Sequence, residues 1–131
     1  MESSVRQLPC PSTVVRLSGI YGPGRDWLKR TALAVDPNHL PANKWTNRIH
    51  VDDAAGAIIH LLAQEQLAES YVVSDPEPIP LLQMYNFFRQ REGMPLLHPM
   101  PAVQGGKCLI PTRLQASGYQ WIYPNAFSGG Y

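Results

Sequence analysis

The chain has 131 residues, 44% hydrophobic and 16% charged, with a formal net charge of +1. That length suits one domain, and a charge so near zero offers no field to steer nucleic acid or an anionic membrane, so neither is expected as a partner. No run approaches the roughly 18 apolar residues of a membrane span, and the first six residues lack the apolar core of a signal peptide. Cys10 and Cys108 lie far apart with no C-x-x-C spacing, which predicts reduced thiols in a cytoplasmic protein rather than a disulfide or a zinc site.

In chain order, residues 1–12 are polar and contain proline, and read as a loop. Thr13 to Leu17 is an apolar, β-branched run broken only by Arg16, predicting a strand buried on both faces with a neighbour on each side. Gly22-Pro23-Gly24 ends any regular element, and Asp26 is a plausible N-cap for an amphipathic helix carrying Trp27, Leu28, Thr31, Ala32 and Val35. Residues 36–45 predict a long loop, then a short strand over Asn47 to Val51. Asp52 is expected to cap a helix running to about Gln64, with Ala55, Ile58, Ile59 and Leu62 on its apolar side.

Tyr71-Val72-Val73 predicts a strand, stopped by Asp75-Pro76-Glu77-Pro78. Pro80 suits a helix start, the stripe Leu81, Leu82, Met84, Tyr85, Phe88 continues it, and Gly93 and Pro95 end it. Residues 108–123 predict a short strand, a helical turn over Thr112 to Ser117 and a strand near Gln120 to Tyr123. Alternating strands and helices indicate the α/β class.

Gly19, Gly22 and Gly24 follow a strand and precede a helix, the setting of a phosphate loop. The spacing is reversed from G-x-G-x-x-G, Pro23 lacks an N–H, and no acidic residue lies about twenty positions on, so a turn holding Tyr21 and Arg25 at a pocket rim is the better reading. Arg48 shares a strand face with Thr46 and can clamp a phosphate or carboxylate; alternatively it is a surface arginine or a partner of Asp52 or Asp53. His39, His50, His60 and His98 have no metal-ligand spacing, so no metal is expected.

Four segments in order carry a resemblance: R-L-S-G-I-Y-G-P-G-R over residues 16–25, N-R-I-H-V-D-D-A-A-G-A-I over 47–58, Y-V-V-S-D-P-E-P-I-P over 71–80, and R-L-Q-A-S-G-Y-Q-W-I-Y-P over 113–124, followed by a terminal G-G-Y. From about residue 12 onward the chain resembles the C-terminal portion of NAD(P)-dependent epimerase/dehydratase proteins, the extended and atypical short-chain dehydrogenase/reductases. The resemblance implies a partial Rossmann-like sheet edge plus a small C-terminal substrate-binding lobe, without the N-terminal dinucleotide-binding half. Residues 12–35 would hold a late Rossmann strand, the glycine turn and a helix, and residues 46–131 the substrate lobe.

It also implies that Ser18, Gly19 and Ile20 lie beside the cofactor, NAD or NADP, and that Tyr21, Arg25 and Arg48 contact a small-molecule substrate such as a nucleotide sugar. The family's Tyr-x-x-x-Lys pair and glycine-rich cofactor loop do not occur in these residues. No catalytic residue is therefore assigned, and the chain alone is expected to bind no cofactor. The alternative is a stand-alone domain that binds a metabolite or a protein, and an exposed sheet edge would allow self-association.

Overall fold

The computed structural model describes residues 2–131. Glu2–Arg6 forms a short helix, α1, where a loop was expected; Glu2 accepts from the Arg16 guanidinium on Nε and Nη2, at 2.8 and 2.7 Å. Both partners are exposed, so this contact contributes little stability. Val14–Leu17 (β1) and Gly19–Tyr21 (β2) are one extended run that changes partner at Ser18. β1 pairs in parallel with Ser70–Val73 (β5), while β2 pairs in parallel with Arg48–His50 (β4). The exchange is visible in two adjacent amides: Ser18 N–H donates to Val73 O, and Gly19 N–H to Asn47 O. A third, antiparallel pair joins Trp45–Thr46 (β3) to Ile79–Pro80 (β6).

Three helices complete the frame: Trp27–Ala34 (α2), Val51–Leu62 (α3) and Leu81–Arg91 (α4), with a short Thr112–Ala116 (α5). One core lies where α2 packs on α4, built on Ala32, Leu82, Met84, Tyr85, Phe88 and Leu97. A second gathers Ile49, Ala54, Ala57, Leu61, Val73 and Leu114 between α3, α5 and the parallel strands. β2 serves both, because side chains alternate along a strand: Ile20 packs toward the second core and Tyr21 into the first.

Several expectations are corrected. β1 is not buried on both faces; among the described residues its only strand neighbour is β5, and Arg16 and Leu17 are exposed. The apolar side predicted for α3 is its solvent side: Ala55 and Ile58 are exposed, as are Ile59 at 68% and Leu62 at 77%. Its buried side is Asp53, Ala54, Ala57 and Leu61. Because the helix is apolar nearly all round, periodicity alone could not choose the face.

Neither predicted aspartate caps a helix through its side chain. Asp26 has no capping hydrogen bond and pairs instead with Arg30 at 3.4 Å. His50 takes the α3 cap, its Nδ1 accepting from Asp52 N–H at 3.1 Å. No strand forms near residue 108 or over 120–123; the amides of Ile122 and Tyr123 donate to the Asp53 carboxylate instead of to a neighbouring strand.

Candidate functional site

A pocket of about 520 Å³ opens beside the Ser18 break, lined by β2, by the turn and helix that follow it, and by Asn47 and Arg48 at the amino end of β4. Open α/β sheets place ligands at such points, where the strand order changes. Gly19, Ile20, Tyr21, Arg25 and Arg48 all line it, so five of the six residues singled out from sequence come together. Ser18 lies just behind, its Oγ buried and without a hydrogen-bond partner. At Gly19, a Cβ would stand 3.2 Å from Asn47 O, so β2 and the residue before β4 approach closely there.

Tyr21 forms a wall rather than a rim. Its ring stacks on Tyr131 at 4.4 Å and meets His50 edge-on at 5.2 Å, and its hydroxyl donates to Asn125 O. Burial, with Asp75 nearby, pushes the phenol well above its ordinary value, so it remains a protonated donor. Arg25 stands at the mouth, exposed, with a long contact to Ile20 O. Trp27, expected to face the core, is 68% exposed and belongs to the pocket lining.

Arg48 is neither a surface residue nor a partner of Asp52 or Asp53. It is 8% exposed, donates from Nη1 to Thr46 Oγ1 at 2.7 Å and interacts with the Tyr131 side chain. Among the described residues no carboxylate lies within ion-pair distance of it. Burial depresses its pKa, opposed by Tyr131 and Asp75. Behind it Asp75, 1% exposed, accepts from Glu77 N–H at 3.0 Å through Oδ1, while Oδ2 is buried with no partner. Desolvation lifts this carboxyl to about 7, against the opposing pull of the Glu77 amide and of Arg48.

The C-terminal segment closes one side of the pocket, and two buried groups hold it. Asp53 accepts from Tyr119 Oη at 2.6 Å and from the amides of Ile122 and Tyr123, each at 2.8 Å. His50 Nε2 lies 3.2 Å from Gly130 O; since Nδ1 accepts from Asp52 N–H, the bond to Gly130 requires the proton on Nε2. Sequence reasoning missed Asp75, Asp53, Trp27 and Tyr131 as parts of this site. Asp75 sits in a proline-rich turn and Asp53 beside a second aspartate, and nothing in either pattern signals burial.

No family model matches the chain. A solved NAD-dependent epimerase/dehydratase structure from Methylobacillus flagellatus superposes with a TM-score of 0.83 at 40% identity, over 98% of this chain and 47% of that one. The chain matches the C-terminal portion of the NAD-dependent epimerase/dehydratase family. A conserved protein of unknown function from Silicibacter pomeroyi gives a TM-score of 0.71 at 25% identity, again over half of its length. At 20% identity, a human epimerase family protein solved with NADPH shares the fold, with a TM-score of 0.68. Among curated proteins, a Streptomyces 3-diazoavenalumate denitrifying reductase is 30% identical over 115 residues, 83% of this chain and 38% of that protein. The chain thus spans about half the length of these relatives or less. Among the described residues no helix is long and apolar enough to cross a membrane, and no group of three or more His, Cys, Asp or Glu is placed to hold a metal ion.

Proposed function

We propose that these residues form the substrate side of an NAD(P)-dependent oxidoreductase of the epimerase/dehydratase type, and that Arg48 binds an anionic group of its small-molecule substrate. One observation carries the reading: a buried guanidinium without a carboxylate partner opens into a pocket at the strand break. A buried charge normally has a counter-charge, and a bound anion would supply it. Tyr21 walls the ring side and Arg25 guards the mouth.

Ser18, Gly19 and Ile20 are the residues that would face NAD or NADP. The orphaned Ser18 Oγ and the tight backbone at Gly19 fit a neighbour supplied from outside the described residues. A bound dinucleotide would contribute hydride transfer, whereas these residues bind and orient the substrate. The seat for a dinucleotide-binding half would be the open side of β1 together with the apolar outer face of α3. The Methylobacillus chain, about twice as long, supports that occupant.

The test is direct. The chain is expected to bind a hydrophobic dye, with the signal reduced at least threefold by Ile59→Ser with Leu62→Ser, and to give no saturable change in NADH fluorescence. A dye-silent monomer, or NADH binding in the micromolar range, would overturn the assignment and favour a self-sufficient binding domain.

A further inference from the structure

Charge and surface around the pocket differ between its floor and its mouth. At the floor stands one cation, Arg48, whose side-chain partners, Thr46 Oγ1 and the Tyr131 side chain, are both uncharged groups. At the mouth the charges are mixed: Arg30 is already paired with Asp26, and the Arg25 guanidinium leans on Ile20 O. The glycine turn adds few free amides, because Pro23 has no N–H and Arg25 N–H donates to Gly22 O at 3.0 Å. A diphosphate needs several converging cations or amides, whereas one planar carboxylate is matched by one guanidinium fork.

The remaining surface is aromatic. The Trp27 indole stands exposed at the pocket and belongs to neither core, and Tyr131, stacked on the buried Tyr21, lines it as well. The place of Trp27 in the pocket lining, rather than its exposure, is what makes the indole face a stacking platform. Resting on the substrate-pocket reading above, we propose that the pocket selects a small planar aromatic monocarboxylate, its ring on Trp27 and its carboxylate on Arg48. A molecule of two or three fused rings fits within a pocket of about 520 Å³ without demanding a second anion site.

Three probes of one shape separate the contributions: 2-naphthoate, its saturated analogue decahydro-2-naphthoate, and neutral 2-naphthamide, with UDP-glucose as rival. Calorimetry on the full chain should give saturable 2-naphthoate binding, with the saturated acid and the amide each at least tenfold weaker and UDP-glucose unable to compete. Trp27→Ala, at a position whose exposure makes misfolding no concern, should weaken 2-naphthoate at least fivefold without shifting the melting temperature. Arg48→Lys should weaken the acid at least tenfold but leave the amide unchanged. If UDP-glucose displaces 2-naphthoate in an Arg48-dependent way, the aromatic class is overturned while the anion pocket stands. If Trp27→Ala leaves 2-naphthoate affinity unaltered, the stacking surface is overturned. If no probe binds the folded chain, both the class and the pocket reading fall.

Discussion

Asp75→Asn isolates a buried carboxyl whose titration should be written into the stability of the whole chain. Burial raises its pKa from 3.8 to about 7, and the groups acting on it are the Glu77 amide, Arg48, Glu77 and Asp53. The folded state then binds a proton that the unfolded state releases near 3.8. Between those two values ν for the folded chain exceeds ν for the unfolded chain, so stability falls as pH rises, by up to about 1.4 kcal/mol per pH unit. Across the window the loss reaches roughly 4 kcal/mol, a large part of a typical domain's stability. Asparagine keeps an oxygen for Glu77 N–H and cannot ionise. Urea unfolding at pH 5, 6, 7 and 8 should therefore show wild type losing stability up to about pH 7 and levelling above it, with the Asp75 contribution absent from the variant over the same range. At pH 5 the unfolded wild-type carboxyl is already ionised and roughly 1.6 kcal/mol of that loss has occurred, so the two proteins should converge only below about pH 4, where the carboxyl is neutral in both states. Parallel profiles for the two proteins would refute the reasoning, because every other titrating group is common to both.

Two further variants probe the segment that closes the pocket. Asp53→Asn keeps the shape but turns an NH2 toward one of the two amides that the carboxylate now satisfies, so urea unfolding should report a loss of about 1–3 kcal/mol. Gly130→Ala puts a methyl 2.5 Å from His50 Cδ2 and 3.1 Å from Tyr21, so Tyr131 must leave its stack; a lower melting temperature and increased tyrosine exposure in near-ultraviolet spectra are expected.

Local chemistry made part of this fold legible. The Gly22-Pro23-Gly24 break, the strand before α3, the Val72-centred strand and the stripe of α4 all lie close to where pattern reasoning put them, because each depends on neighbours in sequence. The failures depend on which of several competing partners wins, some of them nearby and some far along the chain. Asp26 and Asp52 have the chemistry of caps, but Arg30 engages one and the His50 ring, folded back over its own strand end, does the capping in place of the other. Residues 120–123 are extended enough to suggest a strand, yet a single carboxylate from α3 takes the amides a strand would have offered a neighbour. For α3 the sequence contains two apolar faces, and which one is covered depends on what packs beside it. In the site, Arg48 and Tyr21 stood out as residue types, whereas the character of Asp75 comes from burial that its own turn does not signal, with Arg48 and Asp53 acting on it from other segments.

The pairing of Arg48 with Asp75 is better understood by what it fails to do. A structural ion pair would bring guanidinium and carboxylate together, and the cost of desolvating each would be offset by the other. Here the two are linked through backbone: Asp75 N–H donates to Arg48 O at 2.8 Å, and the Ser74 hydroxyl donates to the same oxygen. Their charged ends do not meet within ion-pair distance, Asp75 Oδ2 has no partner, and burial works against the charged form of both. Two neighbouring groups held in unfavourable states do nothing for the fold that a hydrophobic pair would not do better. Such arrangements persist where a ligand resolves them. An anion at Arg48 would hold the guanidinium charged, and it would drive Asp75 further toward its neutral form by like-charge repulsion. Binding at the pocket and protonation behind it are therefore coupled with the same sign: an acidic ligand should bind more tightly as pH falls through 7, and Asp75→Asn should abolish that dependence.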